Sequence, residues 1–99
     1  MSAERVIVAW SDDRDGLGDI RTNASADGGA TFLEEDVRAD ADVPGANESL
    51  FPSLCADGTD VWVVWEDLRS GYADVYVNSS EDGGATWSLV DLRIDRGPP

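Results

Sequence analysis

Two stretches of the sequence concentrate the residue types that could do chemistry. One reads Trp10-Ser11-Asp12-Asp13-Arg14-Asp15-Gly16-Leu17-Gly18-Asp19, the other Trp65-Glu66-Asp67-Leu68-Arg69-Ser70-Gly71-Tyr72-Ala73-Asp74. Closely spaced carboxylates around a glycine turn are the oxygen donors a calcium loop uses, and Asp13, Asp15 and Asp19 are of that kind. The second stretch has Leu68 and Ser70 where the first has Asp13 and Asp15, and no bidentate Glu closes either loop, so no metal ligand is assigned. Charge pairing is the other chemistry on offer. Asp12 with Arg14, and Asp67 with Arg69, can pair or bond loop backbone to fix each turn, and a charge pair that recurs is expected to be structural. The chain has no His, which removes imidazole acid–base catalysis and His-ligated metal sites. Its one cysteine, Cys55, excludes an internal disulfide and is expected as a small buried side chain in an inner strand. No catalytic residue and no cofactor is assigned.

The two stretches belong to one pattern met twice. Val6, Val8, Trp10, Asp12, Arg14, Gly16, Asp19, Asn23, Ser25, Asp27, Gly28, Gly29, Ala30 and Thr31 recur 55 positions on, from Val61 to Thr86, without a gap. The match runs on through Asp36, Arg38, Asp40 and Pro44 to Asp91, Arg93, Asp95 and Pro99. A period of this length marks small supersecondary units that stack. It also supplies an internal control: a residue present in both copies serves the unit, whereas a reactive centre should appear once.

The formal charge of -14 on 99 residues, with 21 acidic side chains and no Lys, makes a surface that repels nucleic acid and anionic lipid, so neither is expected as a partner. No apolar run approaches membrane-spanning length, and Met1 to Arg5 does not read as a signal peptide. Two repeats are fewer than an array usually needs for stability, so either further repeats belong to the protein or several copies assemble.

The elements that must position these residues are strands, since no segment shows helical periodicity. Asp60 to Trp65 is a β-branched and aromatic run bounded by turn residues, with Arg5 to Trp10 as its counterpart. Being apolar on both faces, such runs are expected between other layers, with Trp10, Trp62 and Trp65 in the core. Asp74 to Ser79 and Asp19 to Ala24 follow, and a further strand is expected over 87–93 and 32–38. Leu50 to Cys55 adds a short strand ended by the Asp57-Gly58-Thr59 turn. The fold class is therefore all-β. The second copy (47–99) has four strands, about 49–55, 60–66, 74–79 and 87–93; the first (1–46) has only the last three. Four-stranded antiparallel units at this period are blades of a β-propeller.

Ser80-Glu81-Asp82-Gly83-Gly84-Ala85-Thr86-Trp87 and Ser25-Ala26-Asp27-Gly28-Gly29-Ala30-Thr31-Phe32 share the form Ser-x-Asp-x-Gly-x-Thr-aromatic. Asp27 and Asp82 can accept hydrogen bonds from backbone N–H groups within the turn while the glycines supply positive φ. Ser25, Thr31, Ser80 and Thr86 would satisfy other turn groups, with Phe32 or Trp87 burying a ring beneath. The motif resembles the Asp-box, or bacterial neuraminidase repeat, of the sialidase superfamily and other secreted β-propellers. The resemblance covers nearly the whole chain. It implies that residues 25–32 and 80–87, including Gly29 and Gly84, form structural turns at the blade periphery of a secreted or cell-surface protein.

The same resemblance implies that ligand sits on the opposite face, where an arginine of one early blade helps bind a carboxylate. Arg14 and Arg69 match that position locally, and with Tyr72 they are the candidate ligand-binding residues. The family's Arg-Ile-Pro sequence is absent, and neither Tyr72 nor Tyr76 has an evident Glu partner for glycoside cleavage. The expected function is a non-catalytic propeller module, structural or binding carbohydrate or protein. The alternatives are a fragment of a sialidase whose catalytic residues lie in other blades, and a self-assembling propeller unit.

Overall fold

The computed structural model describes residues 4–41, 43 and 45–95, and within them the chain is all β. Pro44, Pro99 and the outer ends of both expected units lie outside the described residues. Strands β1 (Val6–Asp12), β2 (Asp19–Ser25) and β3 (Val37–Arg38) form one antiparallel sheet in that order. Strands β4 (Ser49–Asp57), β5 (Asp60–Asp67), β6 (Asp74–Ser80) and β7 (Leu92–Arg93) form a second, and neither sheet closes on itself. The repeat extends to register. Val6 pairs Ser25 as Val61 pairs Ser80, Asp12 pairs Asp19 as Asp67 pairs Asp74, and Arg21 pairs Arg38 as Tyr76 pairs Arg93.

Alternation decides which side chains meet. In β5, Val61, Val63 and Trp65 point to one face and are buried, while Trp62 points to the other and is 41% exposed. The buried face lies on the first sheet, where Ile20, Ala39, Val63 and Trp65 make one cluster flanked by Ala9, Leu54, Tyr76 and Trp87. The core is thus the interface between the two repeats. Trp87 Nε1 donates across it to Thr22 Oγ1 at 3.2 Å.

Three expectations are corrected. The fourth strand of each repeat shrinks to β3 and β7, because an asparagine side chain takes over the ladder: Asn78 Nδ2 donates to the carbonyl of Ser88 at 2.9 Å, and Asn23 Oδ1 accepts from the amide of Leu33 at 2.9 Å. Cys55 is exposed, since it stands opposite Trp62 on the outer face while Leu54 turns inward. Strands apolar on both faces are covered on one only, so Trp62 is not core and Trp10 is half-buried. In β4 the register shifts between Leu50 and Ser53; Phe51 there has φ 54 and Pro52 has no amide to give the ladder.

Candidate functional site

The β1–β2 and β5–β6 loops hold Arg14, Arg69 and Tyr72, and each arginine is built into the same clamp. Asp67 is fully buried at the end of β5 and accepts from Trp65 Nε1 (2.9 Å), Ser49 Oγ (3.0 Å) and the amide of Arg69 (2.9 Å). The Arg69 guanidinium grips it with Nε (2.9 Å) and Nη2 (2.7 Å), and the same Nη2 reaches Asp91 at 2.7 Å. Asn78 Nδ2 holds the other oxygen of Asp91 at 2.9 Å, and Tyr76 lies under the guanidinium, 4.1 Å from ring centre to Cζ. In the first repeat Trp10, Asp12, Arg14 and Asp36 reproduce the arrangement, with Arg14 bonding Asp12 at 2.8 and 2.7 Å and Asp36 at 2.6 Å. Arg21 replaces Tyr76 there and pairs with Asp15 at 2.9 Å.

Electrostatics follow the geometry. Hydrogen bonds from Arg14 and Trp10 hold the Asp12 carboxyl well below the usual carboxylate range. Burial pushes Asp67 upward, but hydrogen bonds from Arg69 and Trp65 overcome it and the net direction is down. Hydrogen bonds to Asp12 and then Asp36 raise Arg14 further. Each guanidinium therefore faces two carboxylates, which weakens its attraction for a ligand anion. Tyr72, at the tip of the second loop, is 63% exposed.

A second clamp recurs beside the first. Arg38 bonds Asp40 at 3.0 Å and approaches Asp19 at 3.7 Å; Arg93 bonds Asp95 at 2.9 Å and approaches Asp74 at 3.4 Å. Asp40 and Asp95 also accept from the amides of Ile20 (2.8 Å) and Val75 (3.1 Å), which pins the chain after β3 and β7 to the start of the next strand in. Asp36 and Asp91 are the partners that sequence reasoning left without a role, although their recurrence in both copies is the signal that marks them. Glu48 was missed altogether. It joins the two loops by accepting from the amide of Gly18 at its side chain (2.8 Å) and from the amide of Leu68 at its carbonyl (3.0 Å), and being single it leaves no repeat signal.

At the opposite end of the strands the two glycine turns are built alike. Asp27 Oδ1 accepts from the amide of Thr31 (2.8 Å) and Asp82 Oδ1 from that of Thr86 (2.9 Å), and both threonine hydroxyls donate to the same carboxylates. Ser25 and Ser80 donate to Asp27 and Asp82 at 2.7 Å and accept from the amides of Gly29 and Gly84 at 2.9 Å. The threonine hydroxyls lead in bringing Asp27 and Asp82 down to about 2. The aromatics that close the turns differ: Trp87 packs into the core, while Phe32 stays 43% exposed.

No family model matches the chain, and no curated protein or solved structure does either.

Proposed function

We propose that this chain is a non-catalytic β-propeller module of the Asp-box type, from a secreted or cell-surface protein, serving as scaffold or as a carbohydrate- or protein-binding unit. One observation carries the reading. The recurring aspartate–arginine pair of the loop motif is spent in a clamp made the same way in both repeats, Asp12–Arg14–Asp36 and Asp67–Arg69–Asp91. A carboxylate-binding enzyme would keep arginine donors open toward its substrate, in one place. Here the two arginines are closed by Asp12 with Asp36 and by Asp67 with Asp91. A ligand is then taken at the loop tips, where the exposed ring of Tyr72 can stack on a neutral sugar or fill a protein pocket.

The test is a glycan array carrying neutral and sialylated sugars, run beside turnover of a fluorogenic sialoside. Binding to neutral glycans that Tyr72→Ala removes, with no turnover, supports the module. Sialoside hydrolysis that disappears in a folded Arg69→Met variant would overturn it in favour of an enzyme.

A further inference from the structure

The two repeats share sequence pattern and register, yet equivalent residues differ in burial according to the face they stand on. Val63 is 0% exposed and its equivalent Val8 is 44%; Ala39 is 1% exposed and its equivalent Ile94 is 44%. Gly83 and Gly84 are buried, Gly28 and Gly29 exposed. The pattern has a single cause. The second repeat gives a face made of Val61, Val63, Trp65 and Trp87, and the first receives it around Ala9, Ile20, Thr22 and Ala39. Each repeat owns both kinds of face, and the internal contact uses one of each. Left over are the giving face of the first repeat, Val6, Val8, Trp10 and Phe32, and the receiving face of the second, Trp62, Val64, Val75, Val77, Leu92 and Ile94.

We propose that these two faces bind each other between copies of this chain, head to tail. Phe32 of one copy seats against Val77 of the next, in the groove of about 300 Å³ lined by Trp62, Val77, Ser79, Val90 and Leu92. A paired exchange of residue types supports the partner's identity. Inside the chain Trp87 carries a donor into the interface and Thr22 accepts it. At the equivalent positions donor and acceptor are both gone: Phe32 has no N–H to satisfy, and Val77 has no hydroxyl to accept one. The two changes complement each other where the side chains meet, and within one copy they lie on opposite outer faces of the paired sheets.

The contact is weaker than the internal one, because β4, which packs on β1 and β2 inside the chain, has no equivalent strand among the described residues of the first repeat. Since the joined faces differ, the contact is heterologous and copies add in one direction until a ring closes or a filament forms. The inference rests on the equivalence of the repeats and not on the family reading above, so either can fail alone.

Sedimentation velocity on the whole chain over a dilution series tests it. The expected result is a mass that rises with concentration in steps of 10.6 kDa. Phe32→Glu and Val77→Glu should each sediment as monomers with unchanged near-ultraviolet circular dichroism. Mixing the two should give a dimer holding one chain of each and nothing larger, since each variant keeps one intact face. If Val77→Glu does not fold, Val90→Glu charges the same groove from an exposed position. A wild-type chain that stays monomeric throughout, variants that still assemble, or a mixture that stays monomeric each overturns the proposal.

Discussion

The indole N–H of Trp87 donates to the hydroxyl of Thr22 at 3.2 Å, across the interface that joins one repeat to the next. Thr22 is fully buried, so water cannot replace it as acceptor. Thr22→Val keeps the shape, orphans the indole and removes the bond from the Thr22 hydroxyl to the Val37 carbonyl (3.2 Å), at a cost of roughly 1–2 kcal/mol. Trp87→Phe removes the donor along with some packing. Combining the two gives the residue types that stand at the equivalent positions, Phe32 and Val77, so the double variant should be more stable than the sum of the single losses implies, by roughly 1 kcal/mol. Urea denaturation of the four proteins measures the coupling, and strictly additive losses would contradict it.

The arginine clamps are expected to differ in worth although they look alike. Asp67 and Asp91 have side chains 0% and 1% exposed, while Asp12 and Asp36 are 16% and 24% exposed. Arg69→Met therefore strands two buried carboxylates and should cost roughly 3–5 kcal/mol, the range for breaking a buried pair from one side. Arg14→Met leaves its carboxylates in reach of water and should cost clearly less. Arg69→Lys should recover little, since an ammonium cannot make the two-pronged grip or lie flat on Tyr76. Equal losses at the two arginines would show that burial of the partners does not set the cost.

How much of this could be read from the sequence depends on what each residue touches. The turn networks and the Asp12–Arg14 and Asp67–Arg69 pairs are local, with partners two to four residues apart, and their chemistry is evident from the motif. Asp91 reaches Arg69 from 22 residues away, so its role appears only once β6 and β7 are paired. Cys55 and Trp62 were misplaced for a different reason. An apolar run states that both faces of a strand are apolar, but not that both have something to cover them. Phe32 was misplaced in the same way: the motif gives a ring beneath the turn, and among the described residues no sheet covers it.

The two glycine turns offer a direct comparison of one motif in two settings. Asp82→Ala removes acceptors for the amide and hydroxyl of Thr86 and for Ser80, and should cost roughly 1 kcal/mol, as loss of a capping side chain does. Its turn is docked: Gly83 lies against the Arg5 guanidinium and Gly84 against Ala24 and Ile7. The Asp27 turn faces open space at Gly28, so Asp27→Ala should cost less. Trp fluorescence should show the difference, since only the second turn anchors an indole, that of Trp87. A larger loss at Asp27 would mean the docking contributes nothing.

Protonation should set the acid side of the stability profile with two opposite slopes. Asp27 and Asp82 sit at about 2 in the fold, chiefly through the hydroxyls of Thr31 and Thr86, and Asp95 is lowered by its bond from Arg93. The contribution of Asp27 and Asp82 is present above the unfolded value of 3.8 and is lost as pH falls toward 2, and that of Asp95 is lost in the same direction. Asp40 runs the other way. Burial pushes it up to about 6, against the opposing bonds from the amide of Ile20 and from Arg38, so folding favours its protonated form. That contribution is complete below 3.8 and disappears as pH rises through 6. Self-repulsion from a net charge of -14 at pH 7 acts in the same direction on the neutral side. Stability should therefore peak at mildly acidic pH, about 4.5, and decline toward neutrality. Asp40→Asn keeps an oxygen for the amide of Ile20 and removes the titrating group, so it should flatten the decline between about pH 4.5 and 7. Urea midpoints across that range decide the matter, and a wild-type midpoint that climbs steadily to pH 7 would show that Asp40 is ionised in the fold without penalty.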